Sequence, residues 1–185
     1  RFRQIPTFGI DTNRRFSNNV SQLKKLAARD YEDILQDAIP AMDGLLPEPH
    51  NTMVITVLYC LAEWHALAKL HMHTESTLQL LEKSTTILGK ELRRFRDGSF
   101  KSFNCQELPK ETAACQHQQK KAKAKETGKN TSLTENLQSK EALSFSKKKS
   151  LNLFTYKFHA LGDYVQTIRL FGTTDSYSTQ IVGIF

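Results

Sequence analysis

Histidine and cysteine are the residue types in this chain that most readily hold a metal ion. A helical zinc site needs histidines at positions i and i+4, with a third ligand nearby. Neither of the two available groups has that spacing, so we predict no metal site and no cofactor, and we interpret the histidines as surface or partly buried side chains. The two groups are His65, His71 and His73, and Cys105, Cys115 and His117.

The sequence patterns of nucleophilic and phosphate-binding enzymes are missing. There is no Gly-x-Ser-x-Gly elbow and no glycine-rich loop, since the eight glycines are scattered singly. Acidic residues recur at Asp30, Asp33 and Asp37. A two-metal site needs carboxylates that converge from separate elements, so we expect these three to be solvated charges on a helix face. No catalytic residue is predicted.

Lysine runs are the remaining chemical signal, and they suit contacts with DNA phosphates. The runs "KKAKAK" and "SKKKS" contain no aromatic residues that could stack on bases, so they predict binding without sequence preference. A solvated spacer and a nuclear-import signal are alternative interpretations. The candidate DNA-binding residues are Lys120, Lys121, Lys123, Lys125, Lys147, Lys148, Lys149, Lys157 and Arg169.

The positive charge is concentrated in one part of the chain. The 185 residues carry a net charge of +7 and a hydrophobic fraction of 39%. Between Pro109 and Ser150 there are ten lysines and four glutamates, a net of +6, which leaves +1 for the rest. That stretch is too polar to offset the backbone entropy lost on ordering, about 1–2 kcal/mol per residue. We predict a disordered or weakly helical linker there.

Composition also gives an expectation for the cellular compartment of the protein. Three cysteines without a C-x-x-C pair argue against a disulfide scaffold and favour a reducing environment. No run of about 18 apolar residues is present, so no membrane span is predicted. The lysine runs and the DNA hypothesis lead us to expect a nuclear location.

Apolar periodicity predicts three consecutive helices. A stripe from Leu23 to Ala38 follows "SNN", Ser17 to Asn19, whose side chains could cap the helix, and Pro40 and Gly44 would end or kink it. The second helix, about 51–72, is apolar nearly all round, which is typical of a central helix. In the third, "HTES" could cap a stripe with steps of three and four: Leu78, Leu81, Thr85, Leu88, Leu92 and Phe95.

A fourth helix is predicted at about 152–171, on a stripe that includes Phe154, Phe158, Leu161, Val165 and Ile168. The predicted fold class is all-α: an antiparallel bundle of three helices plus a fourth after a long disordered basic linker. The predicted parts are an extended lead-in (1–16) with docking aromatics Phe2, Phe8 and Phe16, the three-helix region (17–98), the linker (99–150), the final helix packed on the bundle (151–172) and an irregular, truncated tail (173–185).

Several long blocks resemble one protein family. They are residues 1–36, "GLLPEPHN" at 44–51, "LAEWHALAKLHMHTESTL" at 61–78 and "YKFHALGDYVQTIRLFGTTDSYSTQ" at 156–180. In this order they are similar to the C-terminal portion of Plavaka-type DNA transposases, which are related to the CACTA and KDZ groups and abundant in mushroom-forming fungi. The resemblance covers nearly all of the chain outside the linker.

The resemblance implies descent from a transposase with an RNase H-like core and an acidic, metal-binding triad. The matching residues of the last block are Lys157, His159, Tyr164, Arg169, Phe171 and Gly172. In the family this block precedes a Glu followed three residues later by His, but here the chain reads "VGIF" at 182–185. We therefore expect a truncated, non-catalytic remnant rather than an active nuclease.

The expected function is that of a helical accessory domain which contacts DNA nonspecifically, or contacts the transposase core or a second copy of itself. The alternative is a structural module for protein–protein interaction that binds no nucleic acid. A retained nuclease activity is a third hypothesis, and it requires three carboxylates that converge on shared metal ions.

Overall fold

The protein is all-α, as its apolar periodicity predicts. A computed structural model describes residues 1–9, 15–23, 26–108, 111–114, 117–118 and 148–176. Within these ranges the regular secondary structure is helical and contains no β-strand. The chain divides into two units, the first formed by Arg1–Phe100 with Asn152–Phe185 and the second by Lys101–Leu151.

The first helix, α1, spans Ala28–Met42 and begins later than predicted. Ser17 to Asn19 do not cap it, because the chain forms a separate 3₁₀ turn at Val20–Gln22. The backbone N–H of Ala27 instead donates to the Asp30 carboxylate at 2.7 Å, which satisfies a donor at the true start. Pro40 lies in the last turn, and Gly44 follows the helix with a φ of 65°, a left-handed conformation suited to glycine.

The second and third helices form an antiparallel pair. Helix α2 spans His50–Ala68 and α3 spans Glu75–Phe95. Thr74 caps α3 as predicted, since its side chain accepts from the backbone N–H of Thr77 at 3.3 Å. Trp64, late in α2, contacts Thr85 in the middle of α3, whereas His50, at the start of α2, contacts Ser99 just beyond the end of α3. The two helices therefore run in opposite directions.

The core lies where these two helices meet the C-terminal segment. Cys60, Trp64 and Ala68 recur every four residues on α2 and face the predicted stripe of α3, in which Leu81 and Leu88 are completely buried. Val165 and Ile168 complete the cluster, so the last helix packs on the bundle as predicted.

The C-terminal segment is not one helix from 152 to 171. It consists of a single turn, α4 (Tyr156–His159), a 3₁₀ turn (Ala160–Asp163) and α5 (Tyr164–Phe171). Gly162 and Asp163 are weak helix formers, which accounts for the interruption. Phe154, predicted to face the core, is 79% exposed. Gly172 ends α5 with a φ of 87°.

The two ends of the predicted three-helix region also differ from expectation. At the N-terminus, Phe16 is buried and meets Phe2 edge to face, with ring centroids 5.9 Å apart, whereas Phe8 is 76% exposed. After α3, a π-helical turn continues through Arg96–Phe100. Ser99 is buried in it, so the helical unit extends past the predicted start of the linker at 99.

The second unit contains most of the predicted linker. An isolated antiparallel bridge joins Gln106 and Lys148, and the Lys149 backbone N–H donates to Cys105 O at 2.9 Å. The Lys149 ammonium lies 3.5 Å from a Glu107 carboxylate oxygen and 3.7 Å from Glu111. Residues 111–114 are helical. The disorder predicted for the remainder, 119–147, lies outside the described residues.

Candidate functional site

The metal-binding and catalytic arrangements considered from sequence do not assemble in the described residues. Within the described ranges, no three His, Cys, Asp or Glu side chains are close enough to hold one metal ion. Cys115 lies outside those ranges. No helix in the described parts of the chain is long and apolar enough to cross a membrane.

A serine–histidine contact is present that the sequence gave no reason to expect. His50 Nδ1 lies 3.0 Å from Ser99 Oγ, and the Ser99 hydroxyl donates to Met53 Sδ at 3.1 Å. An activated serine would donate its proton to the histidine and would be open to substrate. Ser99 is only 1% exposed, and its proton is directed at sulfur. The contact therefore joins the start of α2 to the π-helical turn and is not a nucleophilic site.

The expectation that Asp33 and Asp37 are solvated is wrong. Each is only 3% exposed, and their spacing of four residues places them on the same face of α1 as the buried Ala41. Both therefore belong to the packed face of α1. Periodicity missed them because it assigns every charged residue to the solvent side.

The residues carried over from the family resemblance have several different roles. Tyr164 packs edge to face on Trp64, with ring centroids 4.8 Å apart, and so belongs to the core side of α5. Gly172 ends α5, Phe171 is exposed, and His159 lines a cavity. These residues share a segment but not a site.

Most of the candidate DNA-binding cations lie outside the described residues or are already paired. The former are Lys120, Lys121, Lys123, Lys125 and Lys147. Arg169 forms an ion pair with Glu75, and Lys149 forms ion pairs with Glu107 and Glu111. Lys148 takes part in the bridge to Gln106, and Lys157 is exposed. The described part of this set therefore forms no continuous basic surface.

The best-formed candidate site is a cavity of about 310 Å³ between the C-terminal half of α3 and the segment that precedes α5. We call it the α3 groove. One wall comes from α3 and the π-helical turn, and the other from residues 153–162. A glycine stands in each wall, Gly89 and Gly162, and a Cβ atom at Gly162 would meet nothing within 4 Å. The interruption of the C-terminal segment, at Ala160–Asp163, lies in this second wall.

The groove combines an apolar lining with cationic groups. Its apolar surface comes from leucine and phenylalanine side chains: Leu92, Leu153, Phe154, Phe158 and Leu161. Its charged or potentially charged groups are Arg93, Arg96 and His159. The Thr85 hydroxyl is already engaged, since it accepts from Trp64 Nε1 and donates to Leu81 O, each at 2.8 Å.

The two arginines differ in how far they are occupied. Arg96 donates to both carboxylate oxygens of Asp97, at 3.1 and 2.9 Å, and these bonds raise the pKa of its guanidinium. Arg93 forms no ion pair with any described residue. A Cβ atom on Gly89 would lie 3.4 Å from Arg93 Nη1, so the guanidinium lies back over the helix at the edge of the cavity.

Polar contacts hold the far end of the C-terminal segment against the α2–α3 connection. Arg169 pairs with Glu75, and His71 contacts the Asp175 carboxylate. The Thr174 hydroxyl donates to Ala68 O at 3.1 Å. Together with the buried Val165 and Ile168, these contacts fix α5 and the turn that follows it against α2 and α3.

No protein-family model, curated protein or solved structure matches this chain.

Proposed function

We propose that the chain is a non-catalytic helical accessory module, derived from a transposase, which binds a segment of a partner protein in the α3 groove. The transposase core is the partner that the family resemblance suggests. The described residues form an apolar concavity, and such concavities are the usual location of binding sites.

The observation that carries this proposal is the combination of a cavity with exposed aromatic residues beside it. Phe154 lines the groove and is 79% exposed, and Tyr156, two residues further on, is 83% exposed. Large aromatic side chains that face water next to an apolar cavity are typical of protein-binding surfaces. A segment that placed one or two apolar side chains in the groove would cover both.

The test is a titration of the isotope-labelled chain with amphipathic peptides that carry leucines at helical spacing, in acidic, neutral and basic versions. The amide signals of Gly89 and Gly162 report on the two walls of the groove, and that of Gly44 reports on a distant turn. Saturable shifts at Gly89 and Gly162 without a shift at Gly44 support the proposal. If none of the peptides shifts the groove signals, the proposal is rejected.

Nonspecific contact with DNA phosphates is the second candidate function. The net charge of +6 between Pro109 and Ser150 favours it, and it would place the protein in the nucleus. Electrophoretic mobility shift with duplex DNA at low and moderate salt tests it. Binding that weakens steeply with salt and disappears when the lysines of "KKAKAK" and "SKKKS" are replaced by glutamine supports this function. Absence of binding at low salt rejects it.

A further inference from the structure

The polar chemistry of the α3 groove is one-sided. Among the described residues that line it, the polar side chains besides Thr85 are all nitrogen-bearing: Arg93, Arg96 and His159. None of these described lining residues is a carboxylate or a side-chain amide. Because the Thr85 hydroxyl is already engaged, a ligand that enters the groove finds the guanidinium donors of Arg93 and Arg96, the imidazole of His159, and apolar carbon elsewhere.

The arginine that has no ion pair among the described residues stands at the edge of the apolar surface. Arg93 follows Leu92 on α3, and both line the cavity, so a bound group can place an apolar part on Leu92 and an anionic part on Arg93. The donors that Arg96 does not use on Asp97 lie one turn further along. From Thr85 to Arg96 the wall extends about 16 Å at a rise of 1.5 Å per residue. A helical segment of about three turns matches that length.

We propose that the α3 groove selects an acidic amphipathic peptide segment, one that inserts leucine or phenylalanine side chains beside Gly162 and places a carboxylate on Arg93. This inference rests on the proposed function and adds the charge of the partner to it. Carboxylates form bidentate hydrogen bonds with guanidinium groups, which gives the selection a geometric as well as an electrostatic basis.

A nucleic-acid base is a poorer occupant of the same cavity. Bases present both donors and acceptors on their edges, and reading them requires side chains such as asparagine, glutamine or aspartate. The described lining contains none of these three side chains, so the edge of an inserted base would not be read there. The aliphatic surface of the leucines suits a branched apolar side chain.

The experiment measures fluorescence anisotropy of the full chain with labelled peptides of about 11 residues, the length that the wall accommodates as a helix. One peptide carries leucines at helical spacing with glutamates between them, and the second replaces each glutamate by glutamine. A labelled single-stranded DNA oligonucleotide is titrated in parallel.

A cavity-filling variant and one matched pair of charge variants identify the site. Gly162→Leu fills the cavity. Arg93→Gln removes the cation at the edge, whereas Arg94→Gln removes the neighbouring one, which pairs with Glu91 at 3.5 Å and does not line the groove. Circular dichroism of each variant establishes that it remains folded.

The expected result is binding of the glutamate peptide roughly tenfold tighter than the glutamine peptide, as for the loss of one charge-assisted hydrogen bond. Gly162→Leu should abolish binding, and Arg93→Gln should weaken it roughly as much as removal of the glutamates does. Arg94→Gln should leave it unchanged.

The other outcomes separate the two proposals. Equal binding of both peptides, lost in Gly162→Leu, overturns the selection of acidic segments and leaves the groove as a protein-binding site. If neither peptide binds, the inference is wrong. The proposed function is wrong as well if the basic peptide also leaves the groove signals unshifted, and binding of the oligonucleotide in that case leaves DNA contact as the function. If Gly162→Leu binds the glutamate peptide as tightly as the wild type does, the peptide binds elsewhere on the chain. That result also overturns the inference.

Discussion

The indole of Trp64 contacts Tyr164 edge to face, with ring centroids 4.8 Å apart and an interplanar angle of 73°. The same indole donates its N–H to Thr85 Oγ1 at 2.8 Å. One side chain of α2 thus contacts both α3 and α5, and it is almost completely buried. The position of the C-terminal segment, and with it the α3 groove, depends on this central residue.

Thr85 should therefore matter more to stability than its neighbour on α3. Thr85→Val leaves the buried Trp64 N–H without an acceptor, and we expect the free energy of unfolding to fall by about 1–3 kcal/mol. Thr86→Val is the matched control, since the Thr86 hydroxyl is exposed and donates to Glu82 O in its own helix. Its effect should stay within about 0.5 kcal/mol. Urea unfolding followed by tryptophan fluorescence measures both, and equal effects would refute a special role for the Trp64 hydrogen bond.

Cys60 should be protected from thiol reagents in the native state. Burial raises the pKa of its thiol, and the charges of Glu91 and Glu63 raise it further, so the reactive thiolate is scarce at neutral pH. Mass spectrometry after brief alkylation should show Cys105, which is partly exposed, modified well before Cys60. In denaturant the two should react at similar rates. Equal rates in the native protein would mean that α2 and α3 separate readily at this point.

The sequence predicts α3 best because its signals agree. The stripe of leucines, the threonine at its start and the cluster of arginines at its end all indicate the same helix. The start of α1 was predicted wrongly because Leu23 and Leu26 continue the apolar period, while the decisive cap, Asp30 on Ala27, lies inside the expected helix. Local period alone does not distinguish a helix from the segment that leads into it.

The candidate site could not be read from the sequence in the same way. Gly89 and Gly162 face one cavity, but no local pattern relates them, since they come from elements separated by the entire second unit. The interruption of the helix at Gly162 has a local cause, but whether it leaves a cavity depends on the side chains of α3 that lie opposite. The prediction for Asp33 and Asp37 failed for a related reason, because tertiary burial of carboxylates leaves no trace in hydrophobic periodicity.

The contact between α1 and α2 should weaken in mild acid. Burial lowers the pKa of His65 below its ordinary 6.5, an effect that Glu32 opposes and Lys69 reinforces. Below pH 6.5 the unfolded chain therefore binds a proton at this residue more readily than the folded chain does. The stabilisation is complete above pH 6.5 and is lost as the pH falls towards the folded pKa.

Urea unfolding of the wild type and His65→Gln, at pH values above and below 6.5, measures this effect. The wild type should lose more stability than the variant as the pH falls through this range. A His65→Gln protein with an unchanged pH slope would show that another group titrates.

Arg169 should contribute to stability rather than to DNA binding. Its guanidinium pairs with Glu75 on α3, so Arg169→Gln and Glu75→Gln should each destabilise the protein slightly, with effects that do not add. The loss should shrink at high salt because the pair is partly exposed. In mobility-shift assays with duplex DNA, Arg169→Gln should bind like the wild type. Weaker DNA binding with unchanged stability would reverse this assignment.

Two glycines that follow helical segments should respond in opposite ways to the same substitution. Gly44 has a φ of 65°, and a Cβ atom there would touch nothing within 4 Å, so Gly44→Ala introduces backbone strain without a steric clash. We expect it to destabilise the protein by about 1 kcal/mol. Gly162 has equally open surroundings but no left-handed backbone, so Gly162→Ala should be neutral or stabilise the protein by up to about 1 kcal/mol. Thermal unfolding of the two variants beside the wild type tests this, and a loss of stability in Gly162→Ala would mean that the wall of the α3 groove requires glycine at this position.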